Sequence, residues 1–417
     1  MILLSHPTGN ENLRQAMRAM QEAGILYSFS TTIGLTADSK IESLPLPGQL
    51  KRQLAKRRYA IYAAQLRRSP WRELVRLALL NRPENSLTRH EIGPCSVDGV
   101  YRALDRKVAR ALRGKAGREA QAVYGYEDGC LEHFTVARER GLTTIYELPI
   151  AYGPYAHAML AEEARRRPNW EPTLISTRDS ARKLDRKRRE LELADVVVCP
   201  SAFVEDSIPP ELRAGKRLLR MPYGIDPVEA IPPYEPPLER PLRFLYAGSL
   251  SQRKGLADLF EAWNSAALPH TELHVMGSRL MPGAFYRELC PTAIFHGPRP
   301  RPEVLALMDA CDVLVLPSLV EGRALVQLEA LGRGLPLLIT PNTGGDDLVE
   351  PGETGFITPA RSPEALAERL AWFSQHRDEL PRMHAACLKK AATVSWERYR
   401  EQLSGALVNI LEDRAHG

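Results

Sequence analysis

The sequence predicts an α/β protein built on parallel sheets with helices on both faces, and three observations carry that expectation. Short apolar or β-branched runs alternate along the chain with segments whose apolar residues recur at helical spacing, the pattern of strands joined by crossover helices. The length, 417 residues, suits two or three domains, and 44% hydrophobic against 26% charged residues is ordinary for a globular chain with a large core. A proline-rich stretch, 227–241, interrupts the alternation and reads as a stiff, extended connection.

The elements follow in order. Residues 1–5 form a first strand, His6 to Asn10 a turn-rich loop, and 10–24 a helix with Leu13, Met17, Met20 and Ala23 on one face. Gly9 in that loop lets the backbone come close to a ligand, although a glycine in any strand-to-helix turn gives the same pattern. From 49 to 82, ten basic residues (Lys51, Arg52, Lys56, Arg57, Arg58, Arg67, Arg68, Arg72, Arg76 and Arg82) stand against one acid, Glu73, and Pro70 splits the stretch into two helical pieces. With Trp71 and several leucines on the apolar side, this segment suits an anionic membrane surface. A helical pair packed on the sheet with its basic face solvated gives the same pattern. Strands at 121–124, 143–148 and 196–199, with helices over 130–140 and 179–194, complete the first half. Beyond the prolines come a strand L-R-F-L-Y-A, a loop 248–255, a helix 256–263, and strands at 273–276 and 293–296. Helices over 362–376 and 395–413 close the chain.

Composition narrows the function classes. No apolar run approaches the roughly 18 residues that cross a bilayer, and the start M-I-L-L-S-H lacks the basic and long apolar regions of a leader. Six cysteines, scattered without C-x-x-C pairs, argue against a zinc site or a secreted disulfide framework and point to the cytoplasm. A net charge of +5 and 7% aromatic residues give little basis for a nucleic-acid partner.

The chemistry concentrates between Asp312 and Phe356. An apolar run at 313–316 ends at Pro317, and Leu325, Leu328 and Leu331 recur at helical spacing up to a stop at 332–334, giving strand, loop and helix. A helix start offers free N–H groups and about half a positive charge, which suits a phosphate. Glu321 lies in the loop and Glu329 in the helix. Two carboxylates touching a phosphate would repel it, so hydroxyl groups flanking the phosphate are their fitting partners, and a nucleoside diphosphate sugar has hydroxyls on both sides of its diphosphate.

At this point the residues meet a family. E-x-x-x-x-x-x-x-E followed by G-L-P-L-L-I-T resembles the signature of retaining glycosyltransferases of the GT-B fold, family 4. The resemblance implies two Rossmann-like domains facing each other across a cleft: an acceptor-binding domain over 1–225, completed by a helix at 395–417, and a donor-binding domain over 226–394. It implies that Glu321 contacts the sugar and Glu329 the ribose, and that Gly322, Arg323, Ala324 and Leu325 form the phosphate-facing helix start, with Arg323 an added charge that the family's usual loop lacks. G-S-L-S-Q-R-K-G resembles the family's strand-end element whose basic residues bind the diphosphate, which assigns Gly248 and Ser249 to donor binding and Arg253 and Lys254 to charge neutralisation. Ser249 stands where arginine is usual in the family, and Arg253 is expected to supply that charge. Glu147 stands near the position of the family's acceptor-side histidine, and His133 and His157 lie close in sequence.

The function so implied is a retaining glycosyltransferase, hexosyltransferase-like, moving a sugar from a nucleotide-sugar donor to an acceptor that is a sugar, a lipid-linked molecule or a small molecule, in bacterial cell-surface polysaccharide or glycolipid synthesis. No cofactor and no metal are expected, since no D-x-D occurs and Asp346 and Asp347 are adjacent. The expected location is cytoplasmic, peripheral on the inner face of the membrane. A nucleotide-sugar 2-epimerase on the same fold also needs carboxylates near the sugar, and a non-enzymatic nucleotide-binding module is the reading from another class; donor hydrolysis separates all three.

Overall fold

A computed structural model describes residues 1–36, 38–39, 48–79, 85–226, 234 and 239–416. Seven strands form the first sheet: β1 Ile2–Ser5, β2 Leu26–Thr31, β3 Leu66–Arg68, β4 Ala122–Tyr126, β5 Thr143–Glu147, β6 Val196–Cys199 and β7 Arg217–Arg220. They lie in the order β3-β2-β1-β4-β5-β6-β7 and every neighbouring pair is parallel. A sheet covered on both faces needs strands apolar on both sides, and β1, β4 and β6 are buried along their whole length.

The second sheet holds β8 Leu242–Ala247, β9 Thr271–Met276, β10 Ile294–Phe295, β11 Val313–Leu316, β12 Leu337–Ile339 and β13 Gly355–Ile357, in the order β10-β9-β8-β11-β12-β13 and again all parallel. Two doubly wound α/β units result, as expected. In each, the strand order reverses beside the first strand, between β1 and β4 and between β8 and β11. Ligands of open parallel sheets bind at the carboxyl ends of strands at such reversals.

The basic stretch departs from the expected helical pair. Gly48–Ala55 and Trp71–Ala78 are helical, but between them the chain forms β3, which caps the edge of the sheet beside β2 and buries Leu66. Glu73 is fully buried and paired with Arg57 and Arg76, so part of the basic excess is internal. Arg82 lies outside the described residues, as does most of the proline-rich connection. From that connection Tyr234 is described, its hydroxyl donating to Asp312 Oδ1 at 2.7 Å.

The chain crosses between the units twice at one place. Ile225 N donates to Val394 O at 3.0 Å and Trp396 N to Ile225 O at 3.1 Å. The last helix, Trp396–His416, then returns to the first unit and packs on the helix Glu11–Glu22, where Arg400 reaches Gln15 and Glu22. Trp396 is buried against Tyr223 and Tyr399, a packing residue as expected. A second tie comes from the segment after the helix Gly153–Arg166. Trp170 inserts among Phe260, Phe285 and Tyr286 of the second unit, with ring centroids 6.1, 5.0 and 5.9 Å away, and Arg167 Nη2 lies 2.6 Å from both Asp258 and Glu261.

Candidate active site between the two sheets

The strand ends at the two reversals supply the charged groups. After β8 the chain runs through Gly248 and Ser249 to a short turn that presents Arg253 and Lys254. After β11 it runs to Glu321. Arg253 Nη1 lies 3.0 Å from Glu321 Oε1, and Lys254 Nζ is in direct contact with the same oxygen. Burial alone would push this carboxyl up, but the Lys254 ammonium and the Arg253 guanidinium outweigh it and hold the group below the usual carboxylate range. The cluster is two cations around one anion, with a positive charge in excess. Arg253 is further oriented by a 2.7 Å hydrogen bond to Val320 O.

Gly248 is required for this arrangement. A Cβ there would lie 2.7 Å from Lys254 Cδ, so a larger residue would have to push the lysine stem out of its place across the strand end. Ser249 lies beside Ser251 and accepts the Tyr246 hydroxyl proton at its backbone carbonyl. The helix Leu325–Gly332 starts at Ala324 without a side-chain cap; Ala324 N donates to Thr343 O at 3.2 Å and Gln327 N to Ala324 O at 3.1 Å, so an anion at this helix start would meet the N–H groups of Leu325 and Val326. Glu329, half-buried on that helix, pairs with Arg301 at 3.1 Å; burial raises its carboxyl in spite of the arginine.

Two further expected site residues have close protein contacts of their own. Arg323, expected to add a charge for a diphosphate, is buried and committed to protein partners: its Nε donates to Tyr223 O and its Nη atoms to Gly344 O and to both Asp347 oxygens. Of its hydrogen bonds, one reaches Tyr223 of the first unit and three hold the 344–347 loop of its own unit. Gly9 packs on Tyr59, where an added Cβ would come within 2.6 Å of the ring, so the need for glycine there is set by that contact.

On the first unit, Glu147 ends β5 in a closed knot. It is buried, with Asn12 Nδ2 and Tyr223 OH donating to Oε1 at 2.7 and 3.2 Å and Tyr124 OH donating to Oε2 at 2.6 Å. Burial pushes its carboxyl up. His133 is fully buried on Asp105, and His157 Nδ1 lies 3.1 Å from Ser176 O, so both histidines serve local structure. His296 stacks on His274. The residues that the sequence did not single out are Glu127 and Lys187, paired at 2.9 Å after β4, and Arg301. Glu127 follows a strand end directly, a signal available in the sequence; Lys187 lies sixty residues away on another helix.

The two halves meet around a cavity of about 510 Å³. Glu127, Lys187 and Ile150 line it from the first unit, Ser249, Arg253 and Val320 from the second. The domains touch at its edge: Ala151 N donates to Glu321 O at 3.2 Å, Ser201 Oγ to Gly322 O at 2.6 Å, and a Cβ on Gly322 would lie 1.8 Å from Pro149 O. Among the described residues, His90, Glu91 and Asp179 form one cluster of metal-ligand type. Each has protein partners, and Lys183 lies 3.0 Å from Asp179 and 3.1 Å from Asp98, which places a fixed cation there.

Comparison with known proteins bears on the same half. Residues 228–391 match the family described as glycosyl transferases group 1. A curated relative, the putative colanic acid biosynthesis glycosyltransferase WcaL of Salmonella typhimurium, is 39% identical over 85 residues, 19% of this chain and 21% of that protein. The chain thus matches about a fifth of that relative's length. Sucrose-phosphate synthase from Thermosynechococcus elongatus superposes with a TM-score of 0.65 at 17% identity over 99% of both chains. HepE of Anabaena, solved in complex with UDP, gives 0.61 at 16% identity over 98% of this chain and 99% of that one. At such identities the likeness establishes the two-domain fold.

Proposed function

We propose that this protein, whose second domain belongs to the glycosyl transferases group 1 family, transfers a sugar from a nucleotide-sugar donor to an acceptor hydroxyl with retention at the anomeric carbon, using protein cations in place of a divalent metal. The observation that carries the reading is the pair Arg253 and Lys254 closed on Glu321 at the reversal between β8 and β11. Negative charge grows on a diphosphate leaving group as its bond to the sugar breaks, and two fixed cations in excess of one carboxylate are preorganised to meet it. The uncapped helix start at Ala324 adds N–H donors. In this scheme the bond from the anomeric carbon to the phosphate oxygen breaks, the acceptor oxygen bonds to the same face of that carbon, and the departing phosphate oxygen takes the acceptor's proton. Glu321 holds the sugar hydroxyls and Glu329, braced by Arg301, the ribose.

HepE binds UDP, so uridine diphosphate sugars are the first donors to test. A donor at 100 times its dissociation constant is expected to stabilise the fold by about 2.7 kcal/mol in a thermal scan. Slow release of free sugar marks a transferase, isomer exchange marks an epimerase, and inertness a binding module. Activity lost to a chelator and restored by magnesium or manganese refutes the metal claim; an inverted anomer by NMR refutes retention.

The work of the WcaL relative in colanic acid synthesis supports a role in cell-surface polysaccharide or glycolipid assembly at the inner face of the membrane. No helix among the described residues is long and apolar enough to cross a membrane. Surface attachment is supported by Trp71 and Tyr62, each 79% exposed amid the basic residues of the same segment. Co-sedimentation with anionic vesicles, reversed by salt, is the expected result; equal, negligible sedimentation with anionic and neutral vesicles removes this part of the proposal.

A further inference from the structure

The 510 Å³ cavity has two kinds of wall, and their arrangement names an acceptor class. Its closed part holds charge. Glu127 and Lys187 have side chains only 9% exposed, and Glu127 Oε2 pairs with Lys187 at 2.9 Å while Oε1 has no hydrogen-bond partner. Asp128, next in sequence, is held at φ 70, a left-handed conformation that costs energy outside glycine and that gathers at functional sites; Lys187 and the Glu190 carboxylate hold it there. An unpartnered buried carboxylate oxygen costs free energy until a donor such as a sugar hydroxyl reaches it.

The rest of the wall is mixed: His90, Asp98, Asp179 and Lys183 add a second polar patch, and aliphatic side chains fill the space beside it. Ile150, Ala156, Leu160 and Val320 are among these, and the open rim carries Val97, Ile175 and Leu280, which are 55%, 53% and 37% exposed. These three aliphatic side chains come from separate parts of the chain and from both domains, yet meet at one cavity mouth. Scattered exposed apolar residues need no explanation, but three aliphatic side chains lining one cavity beside its polar groups suit a ligand with both a polar and an apolar part. Arg253 and Ser249 also line the cavity, so whatever occupies it lies beside the diphosphate position.

Resting on the glycosyltransfer reading, we propose that the acceptor is a glycoside bearing an alkyl chain: its sugar hydroxyls meet the Glu127–Lys187 pair, and its chain leaves between Val97, Ile175 and Leu280. A free sugar would leave the aliphatic rim in water. A lipid-linked sugar fills both parts.

Titration calorimetry of the full chain with ethyl, butyl, hexyl and octyl β-glucosides, at saturating UDP and below micelle-forming concentration, tests this. Affinity is expected to rise about fourfold per methylene, the transfer worth of a buried CH₂, until the rim is covered. Ile175→Asp and Leu280→Asp, both at exposed positions that fold tolerates, are expected to flatten that rise. Glu127→Gln is expected to weaken every member by the same factor, on the order of tenfold, and to keep the slope. Affinity independent of chain length, no binding by any member, or a slope that survives both rim variants overturns the proposal. Absent UDP binding instead sinks the glycosyltransfer reading itself, so the two failures are distinguishable.

Discussion

The two sheets share one strand order, apart from the additional β7 at the edge of the first, but use their reversals differently. At the second, Arg253, Lys254 and Glu321 come from turns directly after β8 and β11 and form a compact group with a positive charge in excess. At the first, charge is neutralised inward: Glu147 is sealed among Asn12, Tyr124 and Tyr223, burial pushes His6 down to about 3 and so keeps it neutral, and Glu127 is matched by Lys187. One half gathers an excess of positive charge at its strand ends. The other pairs its charges off one against another.

That contrast is best broken at the contact that joins the halves. Trp170→Ala removes a buried aromatic from between Phe260, Phe285 and Tyr286 and is expected to cost about 3–5 kcal/mol in guanidinium unfolding. A loss under about 1 kcal/mol would mean that the segment is not what anchors the first unit to the second. Next in size, Lys254→Ala and Arg253→Ala are each expected to slow turnover on the order of 100-fold while donor affinity changes less, because the charge they meet develops in the transition state. Wild-type rates in both variants would remove the diphosphate assignment and with it the asymmetry between the reversals.

Arg323→Ala sharpens the same comparison from the structural side. It leaves the Tyr223 and Gly344 carbonyls unpaired, so about 2 kcal/mol of stability should go, with UDP affinity within about twofold of wild type. A large loss of UDP affinity in a well-folded variant would return Arg323 to the donor site. The smallest effect is a pH dependence. Glu147 has its folded value raised by burial, so the folded state binds more protons; its contribution is full below the unfolded value near 4.5 and is lost as pH rises through the folded value. Stability measured from pH 4.5 upward should therefore fall less in Glu147→Gln than in wild type. Parallel curves for the two proteins would show that the knot does not favour the protonated acid.

What was legible in the sequence follows the same division. Arg253, Lys254, Glu321 and Glu329 were singled out through a family resemblance carried by short motifs at strand and helix boundaries, and the structure brings the first three into one cluster and sets Glu329 on Arg301. Arg323 misled because sequence gives a charge but not its direction, and Asp347 captures it from across a loop. The acceptor side depends on pairs far apart in sequence, such as Glu127 with Lys187, that only the packing of separate helices brings together. Some elements were missed although their signal was there: in Val97–Arg113 the buried Val100, Leu104, Val108 and Leu112 recur every four residues. β3 offered no such signal, since two of its three residues are exposed arginines and its role is to close a sheet edge.

The contact at Gly322 has a mechanical consequence. The carbonyls of Glu321 and Gly322 both accept hydrogen bonds from the first unit, and Gly322 lies against Pro149 with no space for a side chain. Drawing the halves apart along this contact must break both bonds, and the peptide that carries the donor-side carboxylate then loses its register. The two lobes thus behave as an interlock: the loop that carries the Glu321 carboxylate is set in place in part by the other lobe, so any shift of one lobe against the other is felt at the Arg253–Lys254–Glu321 cluster.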